Sequence, residues 1–336
     1  MKGKYLRESA PTKRTPRILL IILLVIVLVF AGVYLYINRI LNLISRPDDS
    51  ELLPPSDLLA SDETMPEGVE LSTEEIVVAT EPADMIHAED NVNILLVGQD
   101  QKNGGIRGRA DATILCTINT TTKTITMTSF LRDLYVQIPD HFPHKINSAY
   151  ALGGFPLLDE TLKHNFGVQI DGNVSVDFSS FEAIVNAIGG ITLSFTPEET
   201  AYLNSDCGFD LEVGENHVDG LTALAYSRIR HLDSDFGRTN RQRTVMAAIM
   251  EQCRSLNMLE AMSLLEEILP MITTDISNQE IISYAMEAFP ILLDCTFNTQ
   301  YIPAEGTYTY SWADKMSVLA VDLEANRQIL KDTLGE

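Results

Sequence analysis

Apolar and polar positions follow three successive patterns along this chain. Residues 18–37, ILLIILLVIVLVFAGVYLYI, run without a charge. At about 1.5 Å rise per residue such a run spans about 30 Å, the hydrocarbon core of a bilayer. It is longer than a signal-peptide core, and no small-residue cleavage site closes it. A retained transmembrane helix over 18–37 is therefore expected. Over 47–90 the apolar pattern lapses, and prolines stand at 47, 54, 55, 66 and 82. Such composition builds no core, so residues 38–90 are expected to form an extended stalk.

From residue 91 onward short apolar runs alternate with helical spacings. Residues 93–98, NILLVG, read as a buried strand ending at glycine. Residues 112–119 place Ile114, Cys116 and Ile118 on one face, and residues 123–130 alternate again after a threonine turn, which predicts a hairpin. Helical spacing over 147–166 is interrupted at Gly153-Gly154. A strand is expected at 173–177, a helix at 178–188 closed by Gly189-Gly190, and a strand at 191–195. Asp219 can cap a helix over 221–226. Further helices fit 238–254, 258–269, 277–288 and 321–334, with a strand near 299–303. No linker divides 91–336. The expected fold is one α/β domain, a mixed central β-sheet flanked by helices in α-β-α layers.

Charge sharpens this division. The 336-residue chain has a formal net charge of −23, which argues against nucleic acid, since phosphate backbones need a basic face. Residues 1–17 hold six of the basic side chains and one acid, so this tail is expected in the cytoplasm and everything after 37 outside. Residues 47–90 hold fourteen acids and no lysine or arginine. Residues 91–336 hold only sixteen basic residues, five of them arginines within 228–243. An acidic domain that concentrates arginine so tightly is building a local anion site. Four cysteines in this length exclude a disulfide-dense scaffold. On the outer face Cys207 can pair with Cys253, Cys295 being the rival partner, while Cys116 is expected buried and free.

Three stretches carry the candidate chemistry. In GQDQKNGGIRGRAD, 98–111, Asp100 follows one strand and Asp111 opens the next. Two carboxylates at adjacent strand ends can share a hard cation such as Mg²⁺, or cap turn N–H groups instead. Arg109, two residues before Asp111, is expected on the same face. In 129–150, Arg132-Asp133 ends the second hairpin strand, an arrangement that also suits a local salt bridge, and Lys145 precedes a helix. In YSRIRHLDSDFGRTNRQR, 226–243, Arg228 and Arg230 share a face if extended, and Arg238, Arg241 and Gln242 share one if helical. Guanidinium forks bind phosphate oxygens bidentately. Together these stretches suggest a di- or polyphosphate held by arginines and a divalent ion. No G-x-S-x-G, P-loop or H-E-x-x-H is present.

The order of blocks resembles the LytR-CpsA-Psr family. NILLVGQD, RGRADATIL, SFLRDLYVQIP with KINSAYALGG, VDFSSFEAIVNAIGGI, and GLTALAYSRIR with DSDFGRTNRQR each look like one of its motifs. The match runs through a core over 91–255, with a compatible helical part over 256–336. Gln101, Ala110, Asn186 and Arg243 depart from the pattern. The resemblance implies a single-pass membrane phosphotransferase of the cell envelope, whose lipid tail enters a groove between the sheet and its helices. Such an enzyme moves a glycopolymer, teichoic acid or capsule, from a polyprenyl-pyrophosphate donor to a peptidoglycan acceptor. It implies Mg²⁺ (or Mn²⁺) on Asp100 and Asp111. It implies pyrophosphate binding by Arg109, Arg132, Lys145, Arg228, Arg230, Arg238 and Gln242, with Asp100, Arg109, Asp111 and Arg132 as the catalytic set. Hydrolysis of the same pyrophosphate and a non-catalytic envelope-binding role are the competing readings.

Overall fold

The computed structural model describes residues 32–47, 75–86, 88–100, 108–230, 232, 235–254, 258–292 and 295–335. The chain divides into two compact units, residues 1–43 and 44–336. In the first, residues 32–40 and residue 41 form a helix. The basic tail, residues 18–31 of the expected membrane span, and residues 48–74 of the expected stalk lie outside the described residues. Among the described residues no helix is long and apolar enough to cross a membrane.

The second unit runs β1 (Asn91–Gln99), β2 (Ala110–Asn119), β3 (Thr124–Phe130), β4 (Tyr135–Val136), β5 (His144–Lys145), α1 (Asn147–Phe166), β6 (Gly172–Asp177), α2 (Phe178–Ala187), β7 (Ile191–Phe195), α3 (Pro197–Asp206), β8 (Gly214–Val218), α4 (Gly220–Ser227) and α5 (Asp235–Arg254). It continues through α6 (Met258–Ile268), β9 (Thr273–Thr274), α7 (Asn278–Leu292), β10 (Thr296–Ile302), β11 (Tyr308–Ala313), β12 (Met316–Val321) and α8 (Leu323–Leu334). The main sheet has the order β10-β3-β2-β1-β6-β9. It is mixed as expected: β1 is antiparallel to β2 and parallel to β6, and β10 is parallel to β3.

Alternation along β1 sorts the two faces. Leu95 and Val97 point into a core shared with Leu115, Leu158 and Phe166, which α1 and α8 cover. Each fully buried leucine there contributes about 1.5–3 kcal/mol of burial. Leu96 and Gly98 point the other way, toward α2, α4 and α5. A second core around Val185, Ile191, Leu203, Tyr226 and Val245 joins those helices to the small β7–β8 sheet. The interruption in α1 falls at Gly154, whose φ of 65° and ψ of −153° suit only glycine. Asp219 caps α4, its Oδ1 accepting from the Thr222 N–H at 2.9 Å.

The pattern of apolar residues did not reveal α3, β8 or the β11–β12 hairpin, nor the two-residue strands β4, β5 and β9. α3 carries a complete capping box, Thr196 and Glu199, with proline at its start. The strand β8 pairs with β7. The β11–β12 hairpin occupies 308–321 ahead of the C-terminal helix, which begins at Leu323.

Packing of the domain extends N-terminal of residue 91. The Ser45 N–H donates to the Ile272 carbonyl and its carbonyl accepts from Thr274, both at 3.1 Å. Arg46 reaches the carbonyls of Thr274 and Ile276 and the Asn278 Oδ1. Farther along, Ile76 and Val78 pack against Tyr135, Met316 and Val318. Ile86 donates to the Gly167 carbonyl at 2.8 Å. These parts of the expected stalk are therefore held on the domain, because each supplies apolar side chains or backbone pairing to it.

No disulfide joins any of the four cysteines, so the pairing considered for Cys207 is not made. Cys207 ends α3 in the open, while Cys295 accepts from Arg254 Nη2 at 3.4 Å. Burial pushes the Cys116 thiol up to about 12.

Candidate active site

The site forms where β1, β2 and β3 end. Gln99 pairs with Ala110, but Gly98 pairs with Ala112, so Asp111 is an extra residue in β2. A bulge of this kind bends the strand and re-aims the side chain it carries. It also breaks the alternation that would have put Arg109 and Asp111 on one face. Asp111 lines a cavity beneath α5, whereas Arg109 is not among that cavity's lining residues. Arg109 stands near His144 instead: burial first, and then the Arg109 charge, hold that imidazole below its usual pKa.

Arg132, just past β3, donates through Nη1 to Asp111 Oδ1 at 3.1 Å. Arg230 Nη2 approaches Asp111 Oδ2 at 3.6 Å. Arg132 also turns Nε toward Asp133 Oδ2, at 3.5 Å, and Lys145 Nζ meets Asp133 Oδ1 at 3.0 Å. Burial opposes the Asp133 charge, but Arg132, Lys145 and Arg238 outweigh it and hold the carboxyl below its usual range. Asp133 is thus more than a local partner of Arg132. It gathers three cations behind the site. The sequence offered only the Arg-Asp dipeptide as a signal, with nothing to place Lys145 beside it.

The five clustered arginines take separate roles. Arg228, Arg230 and Arg238 line the cavity together with Gln242. The Arg228 guanidinium lies 4.4 Å from the centre of the Phe178 ring, itself part of the wall. Arg238 is 2% exposed. Arg241 does not share their face. Its Nε pairs with Glu199 at 2.7 Å inside the second core, so it serves packing. Arg243 donates to the Gln300 carbonyl at 3.2 Å and lies over Tyr301.

Behind this arginine mouth the cavity is apolar and measures about 270 Å³. Leu96, Ile114, Val174 and Val176 of the sheet form its floor, and Phe181, Leu224 and Val245 of the helices form its roof. Gly98 and Ala112 keep the floor low near the mouth, since a Cβ on Gly98 would sit 3.1 Å from that of Ala112. An apolar chamber behind guanidinium groups suits an amphiphile with an anionic head.

Asp100 is exposed just past β1, its N–H donating to the Arg109 carbonyl at 3.2 Å. Asp100 and Asp111 belong to neighbouring strand ends. Two carboxylates there match the donor number of a Mg²⁺ ion that takes its other ligands from water and substrate phosphate. Among the described residues no group of three or more His, Cys, Asp or Glu gathers as a metal site.

The chain is 34% identical over 211 residues to a polyisoprenyl-teichoic acid–peptidoglycan teichoic acid transferase, TagU, of Enterococcus faecalis, covering 60% of this chain and 67% of that one. It is 29% identical over 251 residues to the regulatory protein MsrR of Staphylococcus aureus, covering 74% and 76%. The crystal structure of Bacillus subtilis TagT superposes with a TM-score of 0.61 at 26% identity, covering 78% of this chain and all of that one. A TagT structure with bound octaprenyl pyrophosphate lipid superposes at 0.59 and 25% identity, covering 77% of this chain and 100% of the other. A sequence profile of the LytR_cpsA_psr family matches residues 61–333, and the chain belongs to that family.

Proposed function

We propose that this protein transfers a glycopolymer from a polyprenyl-pyrophosphate carrier to peptidoglycan, forming a phosphodiester. The apolar cavity that ends at Arg228, Arg230 and Arg238 carries this reading. It offers an apolar chamber for a prenyl tail and fixed positive charge for the pyrophosphate. The teichoic acid transferase name of a relative and the prenyl pyrophosphate bound by TagT support the same chemistry.

In the reaction an acceptor hydroxyl attacks the phosphorus on the polymer side. The new P–O bond forms, the bond to the bridging oxygen breaks, and polyprenyl phosphate leaves with the charge. The hydroxyl proton is lost to a base. Arg132 and Arg230 bracket the Asp111 carboxylate, so they are placed to stabilise charge growing on the transferred phosphoryl group. Asp133 holds Arg132 and Lys145 in position. Asp100 and Asp111 would hold Mg²⁺, which supplies charge neutralisation at the phosphates. The uncharged run 18–37 would anchor the protein once through the membrane, basic tail inside and catalytic domain outside.

The test is transfer from a purified lipid-linked polymer to peptidoglycan, with an acceptor-free arm. Arg132→Ala and Asp111→Ala should each lower turnover by roughly 10²–10³-fold without loss of the folded state. Normal transfer by both variants would overturn the assignment. Pyrophosphate cleavage that ignores the acceptor would identify a hydrolase instead.

A further inference from the structure

The arginines of the cavity mouth are steadied in different ways. Arg132 and Arg230 face the Asp111 carboxylate, and Arg238 adds its charge to the group around Asp133. Arg228 makes no ion pair among the described residues, and its guanidinium carbon lies 4.4 Å from the centre of the Phe178 ring. That is well inside the distance at which a cation is drawn to a ring face. Both side chains line the cavity, Arg228 exposed at its mouth and Phe178 half-buried in its wall.

Two helix ends build this contact. Asp177 caps α2, its Oδ1 accepting from the Ser180 N–H at 2.7 Å and from the Ser179 Oγ at 2.8 Å. The cap fixes Phe178 as the first residue of that helix. Arg228 closes α4, where a cation suits the partial negative charge of the last carbonyls. The start of α4 is tied to α2 as well. The Gly220 N–H donates to Asn186 Oδ1 at 2.8 Å, and a Cβ on Gly220 would collide with the Glu182 carbonyl. With α4 held against α2 at both of its ends, backbone drift does not separate the ring from the guanidinium.

We propose that Phe178 is a positioning residue of the donor site, its ring aiming Arg228 at the pyrophosphate. This rests on the transferase reading above. A carboxylate that orients an arginine also cancels part of its charge. A ring face orients the guanidinium and leaves that charge for the ligand. A guanidinium already held loses less freedom when phosphate oxygens arrive. One side chain then serves both halves of an amphiphilic donor, its edge toward the tail and its face toward the arginine that meets the head.

Calorimetric binding of inorganic pyrophosphate and of farnesyl pyrophosphate to the full chain in detergent tests this. Phe178→Leu and Phe178→Met keep apolar bulk and remove the ring, so either one suffices if the other does not fold. Each is expected to weaken both ligands by the same factor, roughly three- to fivefold, the worth of one cation–π contact at a wet site. Phe178→Tyr should bind as the wild type does. In an Arg228→Ala background Phe178→Leu should cost nothing further. A loss confined to farnesyl pyrophosphate would reduce the ring to a wall for the tail and overturn the proposal, as would an undiminished loss beside Arg228→Ala. Weaker binding in Arg228→Ala with none in Phe178→Leu would remove the positioning role alone. A wild type that binds neither ligand would remove the donor reading, and this role with it.

Discussion

Asp111 owes its position to one residue too many in β2. Without the bulge opposite Gln99, strict alternation would fix which side chains reach the cavity. The same local detail explains why Arg109 was expected beside Asp111 and stands near His144 instead. Where Asp133 is held below its usual range, another carboxylate is pushed above it. Asp159 on α1 shares the Asn173 Nδ2 with Asp275, each at 2.8 Å. Burial, opposed by the Asn173 hydrogen bond and helped by the Asp275 charge, pushes Asp159 up from 3.8 to about 7. Between those values the folded chain holds a proton that the unfolded chain has released, so stability falls as pH rises through that window. Asp159→Asn should remove this loss and raise stability above pH 7 by on the order of 1 kcal/mol or more. Thermal unfolding at pH 5 and pH 8 measures it. An unchanged pH dependence in the variant would count against the protonated form. Charge clustering made the arginines legible in the sequence. Their division between cavity and core was not, because it depends on which flank of α5 meets Glu199.

Elements with strong local signals were readable from the sequence. The β2–β3 hairpin, the break at Gly154 and the Asp219 cap all follow from patterns confined to a few residues. α3 had such a signal too, the capping box Thr196-x-x-Glu199, but its sparse apolar residues hid the helix. Thr196→Ala should cost about 1 kcal/mol and leave polymer transfer unchanged, since Glu199 and Arg241 serve the second core. A denaturant midpoint and the transfer assay check both halves. The β11–β12 hairpin was not legible because its faces serve different neighbours. Leu319 and Val321 enter the main core, while Met316 and Val318 pack with Tyr135. Both faces are thereby partly apolar, and the period-two contrast fades.

At the scale of the molecule, the fold places an apolar chamber against three of the arginines that an acidic domain concentrates within 228–243. The resemblance anticipated a groove between sheet and helices. The small residues at its mouth, Gly98 and Ala112, are what keep it open. Ala112→Leu should fill the floor and weaken binding of a long-chain donor by roughly tenfold or more, about 1–3 kcal/mol of lost complementarity. A water-soluble pyrophosphate without a tail should bind as before. Equal loss for both ligands would place the defect in the arginine mouth instead.

Ser45 and Arg46 carry a consequence for stability. They are fixed to the sheet edge at Thr273–Thr274, and the chain returns to the domain at residues 75–86. Ser45–Arg46 and residues 75–86 thus belong to one folded unit on either side of residues 48–74 in the sequence. Both flanking pieces supply contacts to that unit, so its stability should depend on them and not on the length between them. Deleting ten residues within 48–74 should leave the folded domain and its polymer transfer intact, whereas Arg46→Ala should lower the unfolding temperature. Thermal unfolding of both variants measures this.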